Sequence, residues 1–100
     1  MLDIRPYKEK IEKICIQLHL KRLDLFGSAT TEKFGPGSDL DVIVEFKKDD
    51  NYNRFDNYFA LKEQLQNIFH RPIDIIIEKS IKNPYLKASI EQTRKNIYAA

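Results

Sequence analysis

Residues 40–46, LDVIVEF, form the clearest strand in the chain and the segment that most restricts its fold. Alternate strand residues face opposite sides, so Leu40, Val42, Val44 and Phe46 share one side and Asp39, Asp41, Ile43 and Glu45 the other. The first side is the expected core side. Asp49, Asp50 and Asn51 read as a turn, after which apolar residues at helical spacing from Phe55 to Phe69 predict a helix of about four turns. Pro72 opens a further strand, PIDIIIE, whose β-branched run predicts burial on both faces.

Upstream, Ile11, Ile14, Cys15 and Leu18 recur at helical spacing between lysines and glutamates, which predicts an amphipathic helix from Arg5 to about His19. KRLDLF, residues 21–26, alternates polar with apolar and stops at Gly27, as a short strand running into a turn does. A brief helix over Ser28–Lys33 is expected next, ended by Gly35, Pro36 and Gly37. Asn83-Pro84 reads as a helix start, and the helix is expected to run to about Tyr98 with Leu86, Ile90 and Ile97 on a thin apolar face. The expected class is α/β (α+β): one domain, residues 1–100, with a small mixed sheet and helices packed on one side.

Bulk properties narrow the function classes. A chain of 100 residues can bury a core without disulfide staples but has little room for a second fold. No apolar run approaches the roughly 20 residues of a membrane-spanning helix, and the charged start, MLDIRPYKEK, has no signal-peptide core. Cys15 is the only cysteine, which excludes an internal disulfide and suits a reducing, cytoplasmic compartment. Net charge is only +2, from 17 basic and 15 acidic side chains, so nucleic acid held through phosphate neutralisation is not the expected substrate.

Chemistry concentrates in FGSATTEKFGPGSDLDVIV, residues 26–44. Asp39 and Asp41 stand two apart on an extended segment, so both carboxylates emerge on one face. Alone they repel; with a divalent cation held by oxygen ligands, the repulsion becomes a binding site. Asp74 interrupts the apolar run of PIDIII, and a lone carboxylate buried in such a strand costs several kcal/mol unless a partner or metal compensates. If that strand lies beside LDVIVEF, Asp74 completes a triad with Asp39 and Asp41. Gly27 and Ser28 sit where a strand passes into a helix, a place where backbone N–H groups and the Ser28 hydroxyl can meet a phosphate. Average residue usage yields Gly-Ser, ten residues, then Asp-x-Asp by chance in roughly one chain of this length per thousand.

These residues resemble the minimal nucleotidyltransferases of the DNA polymerase β superfamily. The resemblance covers nearly the whole chain and rests on Gly27-Ser28, the ten-residue gap, Asp39-Leu40-Asp41 and the later strand residue Asp74. It implies a polymerase-β-like fold and an MntA-type antitoxin, paired with a HEPN-domain toxin, that moves AMP from ATP to a tyrosine of that toxin. Carried onto this sequence, it implies that Asp39 and Asp41 bind two magnesium ions and that Gly27 and Ser28 hold the triphosphate. Asp74 would bind one metal and help deprotonate the attacking hydroxyl. Asn83-Pro84-Tyr85-Leu86 and the final helix also resemble the tails of these proteins. Many relatives carry arginine soon after Gly-Ser; here the segment reads Ala29-Thr30-Thr31-Glu32, leaving Lys33 or Arg22 as substitutes and efficient catalysis in question.

Two other function classes stay open. The chain could neutralise a toxin by contact alone, keeping the motif as a nucleotide sensor or relic, or it could adenylylate a small molecule such as an aminoglycoside. A Ser28-based hydrolase triad has no nucleophile-elbow pattern behind it. Cys15 shares the apolar stripe of the first helix and reads as core, and His70 reads as a surface loop residue. Tyr85, Leu86 and the aromatics Tyr52, Phe55, Tyr58 and Phe59 are candidates for a partner surface, although core packing accounts for Phe55 and Phe59 equally well.

Overall fold

The computed structural model describes residues 1–48 and 52–100, so the turn expected over 49–51 lies outside the described residues. The elements are α1 (Lys8–Gln17), β1 (Leu20–Phe26), β2 (Leu40–Phe46), α2 (Arg54–Phe69), β3 (Ile73–Ile77), α3 (Pro84–Thr93) and β4 (Lys95–Ala99). Short 3-10 turns precede α1, follow β1 over Gly27–Thr30 and follow β3. The strands form one mixed sheet in the order β3-β2-β1-β4, with β2–β3 parallel and the other two pairings antiparallel.

The alternation in LDVIVEF decides how the sheet is covered. Leu40, Val42, Val44 and Phe46 are buried, as are Leu23 and Leu25 opposite Val44 and Val42. Ile11, Ile14, Cys15 and Leu18 of the first helical segment join this core, as do Leu61, Leu65 and Phe69 of α2. The α1 and α2 stripes therefore pack on one face of the sheet, as expected. The helices α2 and α3 both start at an asparagine cap. The Asn53 side chain accepts the Phe55 and Asp56 N–H groups at the start of α2, at 2.9 and 3.2 Å, and His70 ends it in the left-handed region at φ 54°. Asn83 caps α3 in the same way, with Pro84 in its first turn, where a missing N–H costs nothing.

Four expectations need correction. The last helix does not reach Tyr98: it stops at Thr93, Arg94 is extended, and 95–99 form β4 on the free edge of β1. Ladder bonds offered by that edge outweigh a weak helical pattern, and Ile97 and Tyr98 suit a strand. The helix expected over Ser28–Lys33 is a single 3-10 turn, closed by Thr30 Oγ1 on the Gly27 carbonyl and by the Thr31 N–H and hydroxyl on the Ser28 carbonyl. β3 is not buried on both faces. It is an edge strand, with Ile73 buried, Ile75 and Ile76 half-buried and Ile77 exposed. Phe55 and Phe59 are not core residues; they are 70% and 51% exposed, their rings in contact with each other on the α2 surface.

The second face of the sheet carries Asp24, Asp41, Ile43 and Asp74, fixed there by the pairs Asp24↔Ile43 and Asp41↔Asp74 together with the alternation along each strand. Ile43 is buried on it, and so is Ile90 of α3, both apart from the main core. The face expected to be polar thus has a small apolar patch of its own.

Candidate active site

β2 and β3 start side by side. The Leu40 N–H donates to the Pro72 carbonyl at 3.0 Å, and parallel pairing puts Asp41 directly beside Asp74. On its other flank Asp41 pairs with Phe26, the last residue of β1, so the Gly27 turn begins one residue away. Gly27 has φ 71°, a region where only glycine is at ease, and a Cβ there would lie 2.9 Å from Asp41 Oδ2. Glycine is required at this position twice over, for its backbone angle and for the room its missing side chain leaves to the Asp41 carboxylate.

Asp39 precedes β2 and is exposed. The loop that delivers it is pinned by Arg71, whose guanidinium donates to the Gly35 and Ser38 carbonyls at 3.0 Å each and lies 4.2 Å from the centre of the Phe34 ring. The loop also closes on itself through the Gly35 N–H to Ser38 Oγ at 3.1 Å. All five residues singled out by the sequence therefore cluster at one end of the sheet. The argument for Asp74 from burial does not hold, however: it sits exposed on an edge strand, so its place beside Asp41 comes from pairing and not from an apolar surround.

Asp41 is half-buried and its carboxyl is raised above the usual range, first by burial, then by the charges of Asp74 and Asp39 and a hydrogen bond shared with Asp74. Two carboxylates competing for one space are a donor set for a hard cation. Among the described residues no three acidic, histidine or cysteine side chains already stand together as a complete ligand set. The Asp41–Asp74 pair fits a magnesium ion by the chemistry of its oxygens, with Asp39 the flanking group that would turn inward.

Reasoning from sequence missed the groups behind this cluster. The Gly27 N–H, expected to face a phosphate, donates instead to Thr93 Oγ1 at 2.8 Å. Arg22, one of the two cations considered as a substitute for the absent arginines, binds buried Asp24 at 3.1 Å, four residues or about 13 Å of strand from Phe26. Lys33 is exposed on the loop after the turn. Asp24 itself is fully buried and also receives Arg94 and Asn96. The only signal that could have exposed this group is a charge inside KRLDLF, on the side opposite Leu23 and Leu25.

The nucleotidyltransferase domain model matches residues 8–97, which span the whole sheet apart from its last two residues, the Gly27–Ser28 turn and all three acids. The chain belongs to the nucleotidyltransferase domain family. This nucleotidyltransferase is 42% identical over 91 residues to "Putative protein adenylyltransferase MJ1379" of Methanocaldococcus jannaschii, covering 90% of each chain. Its fold is similar to that of a solved structure described as "putative minimal nucleotidyltransferase", with TM-score 0.72 and 23% identity over 92% of this chain and 90% of the other. It is similar too to a chain in a complex of the tri-AMPylated Shewanella oneidensis HEPN toxin with an MNT antitoxin. There the TM-score is 0.64 and identity 19%, over 98% of this chain and 74% of that one. At such identities the two structures speak for the fold alone. No helix among the described residues is long and apolar enough to cross a membrane.

Proposed function

We propose that this nucleotidyltransferase is an antitoxin that transfers AMP from ATP to a tyrosine hydroxyl of a HEPN-domain toxin. The observation that carries the reading is the position of Asp41, with Gly27 pressed against one side of its carboxylate and Asp74 paired on the other. A triphosphate turn and a metal-holding acid pair then share one edge, as transfer at an α-phosphorus needs. The curated relative's name, a protein adenylyltransferase, and the AMPylated toxin in the neighbouring fold support a protein acceptor.

In this reading Gly27 gives the phosphate chain room to approach the backbone, and Ser28 supplies a hydroxyl donor. Asp39, Asp41 and Asp74 would hold two magnesium ions, whose charge would offset that of the phosphates and of the entering and leaving oxygens. The tyrosine oxygen forms a bond to the α-phosphorus, the bond from that phosphorus to the α,β-bridging oxygen breaks, and pyrophosphate leaves with the electron pair. Asp74, the most exposed of the paired carboxylates, takes the tyrosine proton. The protein contributes position and charge and no covalent intermediate. The buried thiol of Cys15, pushed up to about 12 chiefly by burial, stays unreactive in the reducing cytoplasm where we place the reaction.

The test is transfer of labelled AMP from Mg·ATP to a HEPN-domain protein, taken first from the genes neighbouring this one. Label on a toxin tyrosine, lost with Asp41→Asn, is the expected result; no label on any cognate partner overturns the reading. Exposed Phe55, Phe59 and Tyr85 favour a second reading, in which the chain silences its partner by contact. In that case Asp41→Asn would still protect cells from the toxin.

A further inference from the structure

The Gly27 turn is fastened to a part of the chain that the acid triad does not involve. Thr93, the last residue of α3, accepts the Gly27 N–H on its Oγ1 at 2.8 Å and points its own hydroxyl at the Ile90 carbonyl, 3.4 Å away. The next residue, Arg94, is held on three sides. Its guanidinium pairs with fully buried Asp24, with Glu78 at 2.7 and 3.1 Å, and with Glu91 at 2.9 Å. Asn96 completes the group by donating to Asp24 Oδ1 at 2.7 Å. A charged side chain with this many partners has one arrangement, so Thr93 is presented to Gly27 from a fixed base.

The turn needs such a fixture. Glycine loses more freedom on ordering than any other residue, and no side chain of its own holds Gly27 at φ 71°. The direction of the Gly27 N–H fixes the peptide plane between Phe26 and Gly27, from which the turn carrying Ser28 starts. We propose that Thr93 is a positioning residue for nucleotide binding. Its hydroxyl keeps Gly27 left-handed beside Asp41 so that the Ser28 donors face the phosphates, and the Gly27 N–H serves the fold and is not a phosphate donor. This rests on the reading of Gly27–Ser28 as the triphosphate turn.

The decisive variant is Thr93→Val, which keeps the side-chain shape and removes the acceptor. Titration calorimetry gives the Kd for Mg·ATP, and the transfer assay gives KM for ATP and kcat. Thr93→Val should raise Kd and KM about tenfold, the scale of one buried donor left without a partner, with kcat changed less than about threefold. Thr93→Ser should restore wild-type values to within about twofold, and Ile14→Val, a core change on α1 that removes one methylene group and no hydrogen bond, should leave Kd unmoved. Should Thr93→Val fail to fold, Thr93→Ala removes the same acceptor without placing a new methyl there. Unchanged or tighter binding without the hydroxyl, or equal weakening by Ile14→Val, overturns the role of Thr93. Wild-type protein that binds no Mg·ATP brings down the nucleotide reading and this inference together, whereas wild-type binding that Thr93→Val leaves intact brings down this inference alone.

Discussion

Asp24 and Asp41 lie on neighbouring strands and the same face of one sheet, yet their surroundings oppose each other. Burial alone would raise the Asp24 carboxyl, but hydrogen bonds from Arg94, Asn96 and Arg22 outweigh it and hold the group below the usual carboxylate range. Among the described residues no cation of that kind acts on Asp41; burial, Asp74 and Asp39 all push it upward. One carboxylate is satisfied by cations of the protein and the other is crowded by its own kind. In the proposed function the first charge holds the fold together and the second is kept for chemistry.

The largest effect should come from breaking the satisfied side. Arg94→Met leaves Asp24 buried with only Arg22 and Asn96, and should cost about 3–5 kcal/mol in denaturant unfolding; a loss under about 1 kcal/mol would erase the contrast. Asp41→Asn attacks the other side and should lower AMP transfer by at least roughly a hundredfold, or about 2.7 kcal/mol of barrier, while the protein stays folded by circular dichroism. Gly27→Ala tests the ground between them. Its left-handed angle costs about 1–2 kcal/mol in a residue with a Cβ, and the new methyl displaces the Asp41 carboxylate, so transfer should fall with stability.

The smallest effect is also the most diagnostic. A carboxyl raised in the folded state gives stability that is lost as pH rises through its folded pKa, so Asp41→Asn should raise the unfolding midpoint at pH 7 without magnesium. That gain should fade as pH falls toward the ordinary 3.8. Asp24 has the reverse sign: its contribution is present above 3.8 and disappears as pH falls through its depressed folded value. Thermal melts of wild type, Asp24→Asn and Asp41→Asn across pH 3–7 would show slopes of opposite sign, or refute the assignment.

What the sequence made legible follows the same division. That Gly27, Ser28, Asp39 and Asp41 lie near one another was legible because short-range spacing and strand alternation place them; Asp74 was singled out by a burial it does not have, and it joins them through the parallel pairing of β2 with β3, the condition left open. The Asp24–Arg94–Thr93 group was not found because its partners are 66 to 72 residues apart and no local pattern joins them. Burial of β3 on both faces is what the isoleucine run of PIDIIIE predicts, whereas its place at the edge is a matter of strand order, which composition does not encode. β4 was read as helix because no glycine or proline separates Thr93 from Lys95. The break is made by Arg94 reaching across to Asp24.

β4 has a kinetic consequence. The bonds that fasten the Gly27 turn close loops of 66 and 70 residues, among the longest this topology allows. Contacts of that separation form late and slow a fold down. On the ribosome the acid pair can assemble once β3 has emerged, but the turn beside it stays untethered until residues 93–99 have followed. The protein therefore pairs its acids before the Gly27 turn beside them is fixed, and a chain halted after β3 would hold the acid pair with that turn untethered.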